Sequence, residues 1–228
     1  MPETTTQDLW TDVDRYLGGL LAPADPALTD ALESSTKAGL PEIQVSTVQG
    51  KLLSILAGAI RARRILEIGT LGGYSTIWLA RAPPPDGKLI SLEADPKHAD
   101  VARANVARAG LAGIVDIRLG RALETLPAIA AESSEPFDLI FIDADKQSIP
   151  EYFAWSLKLA RKGSLILVDN VVREGKVIET KSEDTNVQGV RRFMDLLAAE
   201  KRVTATAIQT VGTKGYDGLA IALVTSDR

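Results

Sequence analysis

Apolar and polar positions in the middle of the chain switch between two periods. Short apolar runs have the length of buried strands: Arg64-Ile-Leu-Glu-Ile-Gly69, Lys88-Leu-Ile-Ser-Leu-Glu93, Ile114 to Leu119, Pro136-Phe-Asp-Leu-Ile-Phe-Ile142 and Ser164-Leu-Ile-Leu-Val168. Helical patterns separate them, among them Tyr74 to Arg81 and Pro96 to Ala109, with a turn at Pro83-Pro84-Pro85-Asp86-Gly87. Strands that are apolar throughout and alternate with helices predict a parallel sheet covered on both faces, a doubly wound α/β domain. The last two strand candidates, Val203 to Val211 and Leu219 to Val224, have only the glycine-rich Gly212 to Gly218 between them. An antiparallel C-terminal hairpin is therefore expected at the end of a mainly parallel, seven-stranded sheet. Residues 1–60 have helical character, including Val45 to Ala59, and are expected to cap the carboxyl edge of the sheet. With residues 61–228 as the α/β core, the whole chain reads as one domain.

Composition narrows the function classes more than the fold. A chain of 228 residues, 45% hydrophobic and 25% charged, can bury a core without covalent or metal staples. It has no cysteine, which excludes disulfides, thiolate nucleophiles and cysteine-ligated zinc and agrees with a cytoplasmic protein. Met1 to Asp14 is polar and acidic, without the basic and apolar regions of a leader. The longest apolar runs, such as Leu52 to Ile60, are far too short to cross a bilayer. A net charge of −4 offers nucleic acid no electrostatic attraction. The partner expected is a small molecule.

Ligands of open α/β sheets bind outside the carboxyl ends of the strands, and the distinctive polar residues fall there. The first strand runs into Glu67-Ile-Gly69-Thr-Leu-Gly72-Gly73-Tyr74-Ser75, whose glycines permit a tight turn and close approach of a ligand to the backbone. The second strand ends in Glu93, where an acid can take both hydroxyls of a ribose. NAD and S-adenosylmethionine both fit this pair. Leu71 stands where the dinucleotide fingerprint needs its second glycine, and Glu67 could face a cationic methionine end; both details favour S-adenosylmethionine. The fourth and fifth strands end in Asp143-Ala-Asp145-Lys146 and Asp169-Asn170. Adjacent parallel strands lie about 4.8 Å apart, so Asp143, Asp169 and Asn170 could supply three hard oxygens to a magnesium-type ion. Helix capping would explain each acid taken alone. Lys146 reads equally as a general base or as a salt-bridge partner of Asp145.

Taken in order, Leu66-Glu-Ile-Gly-Thr-Leu-Gly-Gly-Tyr-Ser75, Phe141-Ile-Asp-Ala-Asp-Lys146 and Val168-Asp-Asn170 resemble the metal-dependent catechol and caffeoyl-CoA O-methyltransferase family over residues 40–225. The resemblance implies a Rossmann-like methyltransferase fold and a homodimer. It implies transfer of a methyl group from S-adenosylmethionine to a hydroxyl of a vicinal dihydroxy aromatic substrate held on a divalent cation, Mg2+ by expectation. Val45 would then contact the cofactor through its backbone, Glu67 and Gly69 would hold its methionine amino end with Thr70 and Ser75 nearby, and Glu93 would bind the ribose. Ala122 would lie against adenine and Asp143 beside the cofactor. Asp143, Asp169 and Asn170 would be the metal ligands and Lys146 the base. An NAD-dependent oxidoreductase and a non-catalytic S-adenosylmethionine-binding protein are the alternatives.

Two positions depart from the family pattern. Ile149 stands where a tyrosine is common, with Tyr152 retained, and Met194 stands where asparagine is usual; both are expected to alter the substrate pocket or its lid. His98, the only histidine, reads as a surface helix residue. Trp78 and Trp155 read as core, Trp10 as a cover for the pocket or a subunit interface, and Arg61-Ala-Arg63-Arg64 as a solvated turn. Arg173 to Thr185, charged and aperiodic, reads as a mobile loop controlling substrate access.

Overall fold

The apolar runs condense into a single seven-stranded sheet. In chain order the elements are α1 (Thr6–Leu21), α2 (Pro26–Lys37), α3 (Thr47–Ala59), β1 (Arg64–Ile68), α4 (Tyr74–Ala80), β2 (Lys88–Glu93), α5 (Pro96–Arg108), β3 (Val115–Leu119), α6 (Ala122–Glu132), β4 (Phe137–Ile142), α7 (Ile149–Leu159), β5 (Ala160–Asp169), α8 (Thr185–Ala199), β6 (Val203–Gly212) and β7 (Gly215–Val224). The computed structural model describes residues 5–23, 25–132 and 135–227; the first four residues of the polar opening lie outside them. No described helix is long and apolar enough to cross a membrane.

The strand order is β3-β2-β1-β4-β5-β7-β6. The first five are parallel neighbours, while β7 runs antiparallel to β5 and to β6. Side chains alternate across the sheet and are buried on both faces. Leu66, Ile68, Ile90, Leu92, Ile140 and Ile142 pack under α6, α7 and α8. Ile65, Leu89, Leu139 and Phe141 pack under α2 to α5. A fully buried side chain of this size contributes about 1.5–3 kcal/mol, so the two layers together hold the sheet in one position.

Connections reverse direction between β1 and β4, the switch point at which such sheets open a crevice. Register decides what lines it. Ile68 pairs with Leu92 of β2 and with Ile142 of β4, and Ile142 pairs with Val168 of β5. The next residue on each strand therefore falls in one row along the carboxyl edge: Glu93, Gly69, Asp143, Asp169.

Three details of the elements come from the structure. Leu28 and Ala31 of α2 and Leu53 and Ala57 of α3 bury into the layer containing α4 and α5, while the Gln49 side chain of α3 reaches Asp169 at the carboxyl edge. The segment before α3 also reaches the crevice, because Ser46 caps α3 by accepting from the Gln49 N–H at 3.2 Å and so leaves Val45 outside the helix. The C-terminal hairpin is tight, since β6 and β7 continue through the glycine-rich link to the Gly212–Gly215 pair. Gly215, with φ +85°, takes the left-handed backbone that such a turn needs. Finally, β5 starts at Ala160, because the Ser164 hydroxyl donates to the Phe137 carbonyl and accepts from the Arg161 N–H, tying the polar Arg161 to Gly163 stretch to β4.

Candidate active site

At the switch point a cavity of about 560 Å3 is lined by most of the residues the sequence singled out. Val45, Gly69, Thr70, Ser75, Glu93, Ala122, Asp143, Lys146 and Asn170 all line it. Gly69 is required by space as well as by conformation: its φ is +100°, and a Cβ there would stand 2.0 Å from the Asp143 carbonyl oxygen. Leu71, with φ +52°, is a left-handed non-glycine residue whose N–H donates to the Glu93 carboxylate at 2.7 Å. It lines the cavity, filling with side chain the position where a dinucleotide would need bare backbone.

Glu93 also accepts from the N–H groups of Thr70 at 3.3 Å and Asp95 at 2.9 Å, so the carboxylate is fixed at the cavity wall by three backbone donors. His98 corrects the sequence reading. It lines the cavity, and its Nδ1 lies 3.7 Å from Glu93. Asp95 caps α5 and turns the first helical turn back toward β2; that Asp-Pro cap was the available signal.

Glu67 does not face the cavity. It is buried on the α4 side of β1, where Ser75, Thr76 and Ser91 donate hydroxyls to it at 2.6, 2.5 and 2.6 Å. Burial pushes its carboxyl up to about 7 against the pull of those donors, and the charge of Asp143 adds to the rise. Glu67 reaches the cavity only through Ser75. Because Ser75 spends its proton on Glu67, its lone pairs are left to accept from a donor in the cavity.

On the other side of the switch point, Lys146 donates to Asp143 Oδ1 at 2.7 Å, with its side chain mostly buried. Its backbone is backed by Gly189 of α8, where a Cβ would lie 2.2 Å from the Lys146 carbonyl oxygen. Asp145 takes a different partner, the Tyr152 hydroxyl, at 2.5 Å, which settles the alternative pairing of Lys146. Asp169 is buried, and its carboxyl is pushed up to about 7 by burial and then by the charge of Asp143. Asn170 is left-handed, with φ +58°, and its N–H donates to Asp169 at 2.9 Å.

Among the described residues no group of three or more His, Cys, Asp or Glu side chains is placed to hold a metal. The set at hand is instead two carboxylates, Asp143 and Asp169, the first of which helps to raise the second, and the Asn170 amide at the cavity wall. Such hard oxygen donors suit a divalent cation, and a cation would relieve the repulsion between them. The residues fit the group.

Ile149 and Met194 stand behind the cavity rather than in its wall. Ile149 is fully buried and Met194 packs against the same core under α7 and α8; neither lines the cavity. Trp78 is buried, Trp155 packs partly buried against the core, and Trp10 on α1 is half-buried away from the cavity. The segment after Asn170 is anchored at its start. Asp217 Oδ1 accepts from the N–H groups of Val172, Arg173 and Gly218, each at 2.9 Å. Arg191 donates to the Val177 carbonyl at 2.5 Å. Asp217 and Gly189 carried no local signal, because their partners lie far away in the sequence.

The O-methyltransferase family model matches residues 22–223. Two relatives, each named catechol O-methyltransferase, come from Niastella koreensis and Mycobacterium tuberculosis. The first is 52% identical over 95% of this chain and 98% of its own length. The second is 53% identical over 93% and 95%. Among solved structures, the O-methyltransferase from Bacillus cereus in complex with SAH superposes with a TM-score of 0.95, at 55% identity over 96% of this chain and all of that one. On fold, site residues and sequence together, the chain belongs to the O-methyltransferase family.

Proposed function

We propose that this protein transfers the methyl group of S-adenosylmethionine to one hydroxyl of a catechol-like acceptor, with a divalent cation held by Asp143, Asp169 and Asn170. The observation that carries this reading is the row Glu93, Gly69, Asp143, Asp169, which sets a ribose acid, a backbone approach and a carboxylate pair side by side. The SAH-bound Bacillus cereus relative and the two relatives named for catechol support the donor and the acceptor class.

Each half of the cavity then has a task. Glu93, fixed by three backbone N–H groups, accepts from the ribose hydroxyls, and Gly69 lets the donor lie against the backbone. Ser75, oriented by Glu67, accepts from the methionine ammonium. Val45 and Ala122 enclose the donor from the two sides of the edge. Asp143, Asp169 and Asn170 would hold a divalent cation, which would supply Lewis acidity toward an acceptor hydroxyl whose ordinary pKa is near 10. Lys146 is the base that takes the acceptor's proton. The acceptor oxygen forms the new bond to carbon, and the sulfur–methyl bond breaks with its electron pair left on sulfur. Holding both reactants in line is the chain's main contribution to rate.

The test is a panel of vicinal diols and matched monophenols with S-adenosylmethionine and Mg2+. Transfer confined to the diols is the expected result. Equal transfer to monophenols overturns the chelated acceptor, and no transfer to either overturns the catechol reading.

A further inference from the structure

Arg173 reaches the cavity without having been part of any role above. It lines the same cavity as Asn170 and Lys146, three residues beyond Asn170. The chain is forced back to put it there: Asn170, Arg173 and Glu174 are all left-handed non-glycine residues, followed by Gly175 at φ +86°. Such conformations persist only where surrounding contacts impose them. Here the contacts are those of Asp217, whose Oδ1 accepts three backbone N–H groups of this turn and of β7.

The guanidinium itself is left largely unspent. Its nearest acid is Asp217, at 3.7 Å, too long for a hydrogen bond. Its Nε is buried and has no hydrogen-bond partner. A buried guanidinium donor without an acceptor is unfavourable, and one facing a ligand cavity is matched by an anion with two coplanar oxygens. Its neighbours Lys146 and Asn170 stand at the acceptor end, whereas the ribose acid Glu93 stands at the opposite end of the row.

We infer that Arg173 is a specificity residue that recognises a carboxylate on the ring of the acceptor, so that the preferred substrate is an acidic catechol. The inference rests on the methyltransferase reading above. A carboxylate para to one hydroxyl lies about a ring's width beyond the diol, and Arg173 lines the cavity that Asn170 and Lys146 also line. A planar guanidinium binds it through two parallel hydrogen bonds, which a lysine cannot reproduce.

The test compares 3,4-dihydroxybenzoate with 4-methylcatechol, of similar size and without charge, in native enzyme and in Arg173→Gln, Arg173→Lys and Arg173→Glu, with Mg2+ present. The readout is the ratio of kcat/KM for the acid to that for the neutral diol. In native enzyme the ratio favours the acid. In Arg173→Gln it falls by about ten- to a hundredfold, the loss of one charge-assisted pair. Arg173→Lys restores part of it, and Arg173→Glu shifts preference toward 4-(aminomethyl)catechol. A ratio that stays within twofold across the variants overturns the inference. So does a uniform rise in KM for S-adenosylmethionine with both acceptors, which would place Arg173 on the donor's carboxylate. Native enzyme that methylates neither diol overturns the catechol reading and this inference with it.

Discussion

The two edges of the sheet treat buried acids in opposite ways. At the amino edge, Asp138 accepts from the N–H groups of Arg63 at 2.8 Å and Arg64 at 3.0 Å and from the Arg161 guanidinium. Burial alone would raise its carboxyl, but these donors win and hold it below the usual carboxylate range. Around it, Arg64 pairs with Glu135 and Arg63 with Asp86. At the carboxyl edge, Asp143 and Asp169 stand at the ends of adjacent strands, Asp143 pairs with Lys146, and Asp169 is pushed up to about 7 by burial and by its neighbour. Glu67, buried under the same edge, is likewise pushed up to about 7. One edge neutralises its acids and gains stability. The other holds acids close together, at some loss of stability, where a cationic reactant would meet them.

Substitutions that exchange stability for activity at one edge should not do so at the other. Asp169→Asn is expected to lower methyl transfer by roughly a thousandfold or more while leaving thermal stability at pH 8 equal or higher, since it removes a carboxylate that is unfavourably charged there. Steady-state kinetics beside calorimetry would check both halves, and a large fall in Tm would contradict the second. Gly69→Ala forces a Cβ onto the Asp143 carbonyl and a left-handed backbone on alanine; it is expected to cost about 3–5 kcal/mol and to abolish donor binding. Asp138→Ala inverts the first result. It leaves two backbone N–H groups and a guanidinium without their acceptor, for a loss of about 2–4 kcal/mol in denaturant titration with kcat little changed.

The smallest effect is a pH dependence. Glu67 holds its proton in the folded protein up to about pH 7, whereas in the unfolded chain it titrates at about 4.5. Its contribution to stability therefore falls as pH rises from about 4.5 to about 7 and is level above that. Glu67→Gln removes this slope, so the variant should gain on the native protein between pH 5 and pH 8, by at most roughly 3 kcal/mol. A gap that does not change with pH would mean that the carboxyl is not raised by burial.

Local pattern made the parallel strands legible, because a strand buried on both faces is apolar throughout. It made the site legible because the glycines and acids follow those strands directly. Register then did what no local pattern could, lining up Glu93, Gly69, Asp143 and Asp169. The errors came where the signal was tertiary. β7 starts at Gly215 rather than Leu219, because its glycines and Asp217 read as a link until their pairing with β6 is seen. Glu67 reads as a ligand until the hydroxyls of Ser75, Thr76 and Ser91 are seen around it. His98 reads as surface until its helix is capped back toward Glu93, and Arg173 reads as loop until Asp217, from β7, is seen to hold its turn.

The central claim is that the carboxyl edge holds a cation on which transfer depends. Its most direct test is methyl transfer to 4-methylcatechol by native enzyme and by Asp169→Asn, after EDTA treatment and again after adding Mg2+. Native enzyme should lose transfer with EDTA and recover it with Mg2+, and Asp169→Asn should stay inactive in both while still binding S-adenosylhomocysteine. Full transfer by metal-free native enzyme, or by Asp169→Asn, would contradict the account.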